Sequence, residues 1–485
     1  MSGSQETEKA VTLERNKQSP TDIELQSPNT QASERKLLLK IDLHVLPVLW
    51  VLHFVNFMDR ANIGNAKIQG MEKELHLIGQ RFNIAVWVFN LGYLVMGVPL
   101  MLVFKRFGPR SLCGMMACWG IFVIGCGLVK KWQGLVTCRL LEGMAEAAFV
   151  PGAAYLVGTY YKKDEYLTRY VIFFTASIVA AAVNGFVSSL ITKMDGTAGY
   201  SAWRWIFIIE GLFTVSVSFA SWFLMPPFAQ FSTFLTASEI SLLIARTQAD
   251  GDEFDVTKDH LSLSVVLHHL KDWKIWTGVL MNLGVTESAN SIANFQPTIL
   301  RGLGYTATQA QVHTIPVYLT GAAMSVIFAY LSERVKLRYP FYILGCAILA
   351  TGLSIMIAYP KAAGVRYTGM FFMASGAYIS MPISIVWTAI NTGRGYKRAI
   401  ALGAIVNFGT AGAFVSSNVF LFEETPRFRT GFSTGLGLCC LGAAAATATA
   451  VGCWWENRRG EAKRKVSEEG AGEAAGRESR FKFSL

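Results

Sequence analysis

The sequence predicts an all-α membrane protein with twelve transmembrane helices in two pseudo-symmetric groups of six. Of its 485 residues, 52% are hydrophobic and only 16% are charged, whereas soluble domains carry about 25% charged residues. Apolar runs of spanning length, which takes ~20 helical residues, recur along the whole chain. These runs cover residues 43–64, 82–104, 111–130, 134–161, 169–192, 203–225, 274–297, 312–331, 340–359, 365–391, 399–421 and 431–455.

One sizeable polar interval separates the two groups of helices. We therefore expect a disordered N-terminal tail (1–42), a first six-helix half (43–225), a central loop (226–273), a second half (274–455) and a C-terminal tail (456–485). Paired six-helix halves are a common layout among transporters.

The positive charge of the chain lies mainly in short gaps between the apolar runs. Net charge is +11, and the gaps include KRFGPR (105–110), KKDEYLTR (162–169), SERVKLR (332–338) and RGYKR (394–398). Lys and Arg are enriched in cytoplasmic loops of membrane proteins. The pattern predicts that these loops and both tails are cytoplasmic, with the lipid bilayer as the partner and no nucleic acid. We expect the plasma membrane.

The chain carries no pattern typical of an enzyme. The sequence has no GxSxG, HExxH or Walker loop, and its eight cysteines fall in apolar segments without a CxxC pair. Such motifs mark nucleophilic, metal-dependent and nucleotide-dependent chemistry. The sequence therefore predicts neither catalytic residues, nor a cofactor, nor a metal site, and any energy for transport must come from a gradient.

The first predicted span contains an adjacent acid and base, in NFMDRANIG (56–64). Each ionised side chain near the bilayer centre costs ~2.5–3.5 kcal/mol on insertion scales, so such residues are usually functional. Asp59 and Arg60 are ~100° apart around a helix and point in different directions. They cannot simply neutralise each other. The alternative is that both lie at the membrane interface and anchor the helix.

The fourth predicted span carries a second charged group. Arg139 and Glu146 are seven residues apart and share a helix face, with Glu142 between them and within reach of both. One interpretation is a structural Arg139–Glu142 pair. However, one arginine cannot offset two acids, and neighbouring like charges favour protonation of one of them. We therefore expect Glu146 or Glu142 to gain and lose a proton.

Several asparagines in the second half are further candidates for the binding site. Asn290 and Asn294 share one face of the seventh span, and Asn407 lies in the eleventh. Such side chains either hydrogen-bond a substrate or join neighbouring helices. We include all three among the predicted substrate-binding residues.

Five stretches in order give the chain a family resemblance. These stretches are MDRANIGNA, RLLEGMAEAAFVPG, WRWIFIIEG, GYKRAIALG and PRFRTG. Together they resemble the major facilitator superfamily over residues 40–460, and in particular the fungal allantoate and nicotinate permease-like members of its anion:cation symporter branch. The resemblance implies the major facilitator fold, with helices 1, 4, 7 and 10 around a central cavity.

The resemblance also implies roles for the charged residues. Arg60 would receive a substrate carboxylate, joined by Arg139, while Asp59 would be a second titrating acid. Glu146 is the preferred proton carrier because Arg139 with Glu146 matches the family pattern in helix 4. The family's loop after helix 2 usually carries an acid where this chain has Lys105.

That loop and its counterpart in the second half predict the conformational gate. In the family, the acid pairs with helix ends and stabilises one transporter conformation. We assign Arg106, Arg110, Glu333 and Arg334 to this gating group.

The sequence thus predicts a secondary active transporter that imports a small organic anion, such as a vitamin or nitrogen-source metabolite, by proton symport and alternating access. We expect it to act as a monomer. Two alternatives remain open at this level: proton-coupled efflux of a drug or secondary metabolite, and a nutrient sensor that does not transport.

Overall fold

The computed structural model describes residues 28–249, 263–304, 307–393, 395–420, 424, 427–470 and 483–484. The regular secondary structure of these ranges is helical, with no strand among them. We call the helices of the first half α1–α6 and those of the second half α7–α12.

The first half contains six long helices joined by short turns. They are α1 (Pro28–Ala66), α2 (Arg81–Phe107), α3 (Arg110–Leu128), α4 (Trp132–Glu146, continued by Phe149–Tyr160), α5 (Lys163–Ile191) and α6 (Ala202–Leu224). Shorter elements are a π-helical turn, a one-turn helix and three 3-10 turns, at Lys67–Met71, Glu72–Glu74, Thr192–Met194, Thr197–Gly199 and Ala229–Phe231.

Two short helices precede the second half, Ala237–Ala249 and Leu263–His269. The long helices that follow are α7 (Trp273–Gly302), α8 (Ala307–Val335), α9 (Tyr339–Ala358), α10 (Ala363–Asn391), α11 (Tyr396–Gly409, continued by Ala411–Val419) and α12 (Arg429–Gly470).

Among the described residues, 11 helices are long and apolar enough to cross a membrane. The remaining long helix is α7, whose 30 residues would extend ~45 Å at 1.5 Å per residue. It is not one of the 11, and it carries Asn282, Glu287 and Asn290 among its apolar residues. The chain is therefore a multi-pass membrane protein, and the twelfth span stays a prediction.

One end of the bundle, which we call the tail face, carries the start of α1 and the end of α12. There Lys40 Nζ lies 2.8 Å from Glu239 Oε2 of the central loop, and Asp42 accepts a 2.6 Å hydrogen bond from Tyr161. These contacts accompany a helix that begins at Pro28, within the segment predicted as a disordered tail. The sequence did not predict this helix start, because the polar residues of the segment contact residues that are far away in the sequence, and local composition does not reveal such contacts. Residues 1–27 lie outside the described ranges.

Small residues allow α2 to pack closely on α4. A Cβ atom on Gly143 would lie 2.1 Å from the Phe89 carbonyl oxygen, and one on Gly92 would lie 2.5 Å from the Leu140 carbonyl oxygen. Glycine at such crossings lets two helix backbones approach each other in a membrane. This packing places the ring of Phe89 beside the charged residues of α4.

At the opposite end of the bundle, Arg204 joins three segments. Its guanidinium donates to Glu74 Oε1 at 2.9 and 3.0 Å and to the carbonyls of Gly127 and Val129 at the end of α3, at 2.9 and 2.7 Å. A cation suits the C-terminal end of a helix, where carbonyl groups lack partners. Burial raises the pKa of Glu74, but hydrogen bonds from Ser201, Trp203 and Arg204 outweigh it and hold that pKa below its ordinary value.

The close crossing of α2 and α4 predicts that Gly143→Ala lowers the melting temperature of the detergent-solubilised protein. The added methyl group meets the Phe89 backbone, and overpacking costs ~1–3 kcal/mol. Thermal unfolding followed by tryptophan fluorescence measures the effect. The matched control is Gly437→Ala in α12, since a Cβ at Gly437 meets nothing within 4 Å. Equal melting temperatures for both variants would contradict the proposed close packing.

The Glu74 contacts predict a pH-dependent contribution to stability. Because the folded-state pKa of Glu74 lies below its ordinary value of 4.5, the contribution is present above about pH 4.5 and disappears as pH falls through the folded pKa. Glu74→Gln should therefore lower the melting temperature at neutral pH, with a smaller difference from wild type near pH 3. The control is Glu72→Gln, at an exposed neighbouring position. A Glu74→Gln difference that is independent of pH would refute this account.

Candidate functional site

An ion pair between α1 and α4 forms the centre of the candidate site. Arg60 Nε donates a hydrogen bond to Glu146 Oε1, and Glu146 is fully buried. The Arg60 guanidinium also lies 4.7 Å from the centroid of the Tyr93 ring and 5.3 Å from that of Phe89. Within the described contacts, Arg60 Nη2 and Glu146 Oε2 have no hydrogen-bond partner. The pair thus leaves one donor group and one acceptor without a partner among the described residues.

A second ion pair lies within α4. Arg139 Nη1 donates to both carboxylate oxygens of Glu142, at 2.9 and 3.0 Å, and the guanidinium lies 4.7 Å from the Phe89 centroid. Both partners are almost fully buried. The sequence left open whether Arg139 and Glu142 form a structural pair, and the structure contains this pair. Glu146 pairs with Arg60 of α1 and not with the arginine on its own helix.

Asp59 occupies a different environment from its neighbour Arg60. One oxygen, Oδ2, accepts hydrogen bonds from Trp119 Nε1 of α3 at 3.0 Å and Thr214 Oγ1 of α6 at 2.8 Å. Oδ1 is buried without a partner among the described residues. The two adjacent side chains of α1 thus point to different helices, as their ~100° separation requires.

The sequence interpretation missed Glu210, a buried acid of α6. Glu210 is 4% exposed and has no cationic partner among the described ion pairs; the polar side chain next to it is Asn62 of α1. It is one helical turn from Thr214 and is an electrostatic neighbour of Asp59. The available signal was an acid inside the apolar run WRWIFIIEG, which served only as a resemblance motif.

The predicted asparagines are used mainly in contacts within and between helices. Asn290 Nδ2 donates to Thr286 O of its own helix at 2.8 Å. Asn407 is 1% exposed and donates to Gly403 O at 2.7 Å, and it packs where a Cβ on Gly97 of α2 would lie. The side chain of Asn294 lies outside the described part of the structure. These contacts place Asn407 at the crossing of α2 and α11.

The predicted gating residues do not form one group. Glu333 of α8 accepts hydrogen bonds from Thr168 N at 2.8 Å and Thr168 Oγ1 at 2.5 Å, near the start of α5 in the other half. Arg334 donates to Tyr330 one turn away, at 2.9 Å from its Nε. Arg106 and Arg110 are exposed. Only Glu333 of the four has a described contact across the two halves.

Other cross-half contacts accompany Glu333 at the tail face. Arg338 donates to Lys163 O at 2.8 Å and lies 3.4 Å from Asp164 Oδ1, while Arg398 of α11 donates to Gly158 O of α4 at 3.4 Å. Lys105, at the position where the family usually has an acid, donates to Tyr155 OH at 2.6 Å within its own half. Contacts between the halves therefore span the tail face, and we call this arrangement the closed state of the tail face.

A bundle of long membrane helices with charged residues on helices 1 and 4 is what the family resemblance implied. A family model described as Major Facilitator Superfamily matches residues 49–417, which is well over half of the chain. The chain belongs to the Major Facilitator Superfamily. It is a membrane transporter and not an enzyme, and the predicted major facilitator fold is confirmed.

Relatives within the superfamily are fungal transporters. The chain is 29% identical over 408 residues to the high-affinity nicotinic acid transporter of Saccharomyces cerevisiae, covering 83% of this chain and 75% of that protein. It is 30% identical over 486 residues to the MFS-type transporter cnsO of Penicillium expansum, covering 96% and 93%. It is 28% identical over 456 residues to the major facilitator-type transporter hxnP of Emericella nidulans, covering 92% and 90%. The permease-like resemblance is thereby confirmed.

A solved structure shows the same fold. The proton:xylose symporter XylE bound to 6-bromo-6-deoxy-D-glucose aligns with a TM-score of 0.67 at 14% identity, covering 84% of this chain and 94% of XylE. At this identity the likeness concerns the fold alone, and it agrees with the helical bundle described above.

The buried pair within α4 predicts a strong dependence of stability on its charge balance. Glu142→Gln leaves the Arg139 guanidinium without its carboxylate, and breaking a buried pair in this way costs ~3–5 kcal/mol. The double variant Arg139→Met/Glu142→Gln should recover much of the lost melting temperature, because no unpaired charge remains. Thermal unfolding of the single and double variants in detergent measures the coupling. A double variant less stable than Glu142→Gln alone would contradict it.

Proposed function

We propose that this transporter imports a small organic anion with a carboxylate group by proton symport, as a member of the fungal anion:cation symporter branch. Arg60 is the proposed anchor for the carboxylate. The observation that carries the proposal is the Arg60–Glu146 pair, in which a half-buried guanidinium has a buried acidic partner on another helix and an Nη2 group without a partner among the described residues. A guanidinium binds a planar carboxylate through two parallel hydrogen bonds.

The same pair provides a mechanism for proton coupling. A substrate carboxylate at Arg60 competes with Glu146 for the guanidinium, and a displaced, ionised Glu146 would be a buried charge without a partner. A proton on Glu146 removes that charge. Binding of the anion and of a proton therefore favour each other, which is the thermodynamic requirement for symport of one with the other.

The charge balance of the first half supports further protonation near Asp59. The described ion pairs combine Arg60 with Glu146 and Arg139 with Glu142, so each arginine already has one acid. Asp59 and Glu210 have no cationic partner among the described ion pairs, and both are buried. Isolated buried charges are costly. We therefore retain Asp59 as a proton carrier, add Glu210, and keep Glu142 as the acid that holds Arg139.

The relatives support an organic anion as substrate. One of them is named for nicotinic acid, which is an aromatic carboxylate at neutral pH. In this chain, the rings of Phe89 and Tyr93 beside Arg60 offer apolar faces next to the guanidinium. A small carboxylate with a flat ring fits this combination of a cation and aromatic faces.

Alternating access completes the proposal. Closure of the tail face by Glu333 and Arg398 leaves the site to open toward the opposite end of the bundle, which the charge pattern predicts to be extracellular. Inward release would then require that these contacts break.

We propose that Arg106, Arg110 and Arg334 act in the inward-open arrangement, and that Asn290, Asn294 and Asn407 complete the site from the second half.

Arg60→Lys should lower uptake of a radiolabelled carboxylate by roughly tenfold or more, because lysine retains the charge but not the paired hydrogen bonds. A transporter-deficient yeast strain screened with nicotinate, allantoate and related carboxylates identifies the substrate and measures its uptake. The control is Arg459→Lys, an exposed arginine of α12. Wild-type uptake by Arg60→Lys would refute the anion-binding role.

Glu146→Gln separates proton coupling from binding. In proteoliposomes, this variant should still exchange substrate across the membrane but should lose accumulation driven by a pH gradient, because glutamine cannot release a proton. Glu72→Gln serves as the control. Accumulation driven by the pH gradient in Glu146→Gln would show that another group carries the proton. Substrate movement in the direction opposite to proton flow would establish efflux instead of import.

A further inference from the structure

The segment Phe483–Ser484 lies against the tail face, where two asparagines bind its main chain. Asn457 of α12 donates to Phe483 O at 3.0 Å and accepts from Phe483 N at 2.9 Å. Asn391 of α10 donates to Ser484 O at 3.0 Å and accepts from Ser484 N at 2.8 Å. Each side-chain amide therefore pairs with both main-chain groups of one residue, as a neighbouring strand would.

Two further contacts fix this segment. Trp387 Nε1 of α10 donates to Ser484 O at 2.9 Å, and Lys274 Nζ of α7 lies 3.9 Å from the centroid of the Phe483 ring. Lys274 also pairs with Glu456 of α12 at 2.5 Å. The segment thus connects α7, α10 and α12, and the contacting residues of α7 and α10 are buried.

The groups of this cleft suit a peptide main chain that carries an aromatic side chain. All described hydrogen bonds of Ser484 use its main-chain N–H and C=O, so the serine hydroxyl contributes none of them. The Phe483 ring supplies an apolar face for a cation, an arrangement worth up to ~2 kcal/mol when desolvated. Five hydrogen bonds to buried or half-buried partners are a large number for two residues.

The docked segment is next to the contacts that close the tail face. Asn391 is the last residue of α10, and it is followed at once by the turn that leads into α11. In that turn, Gly393 O accepts from Arg398 Nε at 2.7 Å, and the same arginine donates to Gly158 O of the first half. Holding Asn391 in place therefore holds the turn that carries Arg398 across to α4.

We propose that the cleft formed by Lys274, Trp387, Asn391 and Asn457 is a peptide-docking site whose occupant is the chain's own segment Phe483–Ser484, and that docking restrains the tail face in its closed state. This inference rests on the proposed alternating access for its effect on transport. A bound segment that interacts with only one conformation shifts the equilibrium toward it. Release of the segment therefore favours opening of the tail face and faster transport.

Two substitutions at one position test docking with a matched pair. Ser484→Ala keeps both main-chain groups, whereas Ser484→Pro removes the N–H that donates to Asn391. Hydrogen–deuterium exchange of the purified full-length protein reports on residues 154–160 and 393–400, on the two sides of the closed tail face. Ser484→Pro, Asn391→Ala and a chain that stops after residue 482 should each exchange faster in both regions. Ser484→Ala should match wild type.

Uptake measurements test the consequence for transport. The three undocking variants should carry substrate roughly 2- to 10-fold faster than wild type, the change expected for loss of one or two hydrogen bonds from one state, and Ser484→Ala should not. Unchanged exchange in all three would overturn the docking site. Faster exchange with unchanged uptake would overturn its regulatory role. Because exchange needs no substrate, it decides the docking claim even when the proposed anion transport is wrong.

A direct probe of contact completes the experiment. A bimane fluorophore on Ser484→Cys, in a background with the exposed Cys118 and Cys440 changed to serine, should be quenched by Trp387. Replacing Trp387 with phenylalanine should restore its emission. Equal emission with and without Trp387 would show that the segment docks elsewhere, and quenching abolished by an added free peptide of residues 477–485 would show that the cleft also accepts this sequence from another molecule.

Discussion

The structure depends above all on pairing of arginine and glutamate where water is excluded. An unpaired charge in such a place costs several kcal/mol, so the first half must hold α1, α2 and α4 close enough for Arg60 to meet Glu146 and for Phe89 to contact both arginines. Gly143 permits that approach, because any larger residue would meet the Phe89 backbone. Gly143 therefore contributes both to the packing of α2 on α4 and to the position of Phe89 beside the two arginines.

The two arginines have different surroundings, which suits different tasks. Arg139 is bound by both oxygens of Glu142 on its own helix, so its charge is paired without help from another element, while its Nε has no hydrogen-bond partner among the described residues. Arg60 depends on an acid from a second helix and retains exposure of 24%. In the proposed mechanism, a substrate anion replaces Glu146 at Arg60 while Glu146 takes up one proton, whereas displacing Glu142 would leave Arg139 and its neighbours to rearrange. The pair proposed to exchange partners is therefore the one that joins two helices.

Much of this arrangement could be predicted from the sequence, because helix geometry and hydropathy act locally. The long apolar runs, the charged residues of α1 and α4 and the divergent directions of Asp59 and Arg60 all follow from residue spacing. The partner of Glu146 could not be predicted, since a shared face with Arg139 says nothing about a side chain that arrives from α1. Glu210 was missed for the same reason, because its significance comes from proximity to Asp59.

The polar contacts at the tail face differ between the two halves. In the second half, Glu333 reaches across to the backbone of Thr168 on α5, while at the matching place in the first half Lys105 bonds to Tyr155 of its own half and lies 5.9 Å from the Tyr396 ring of the other. A lysine cannot accept the hydrogen bonds that a helix start donates. The described polar contacts that close this face therefore come mainly from second-half residues, including Arg338 and Arg398. A contact that stabilises or releases these second-half residues should therefore change the stability of the closed state.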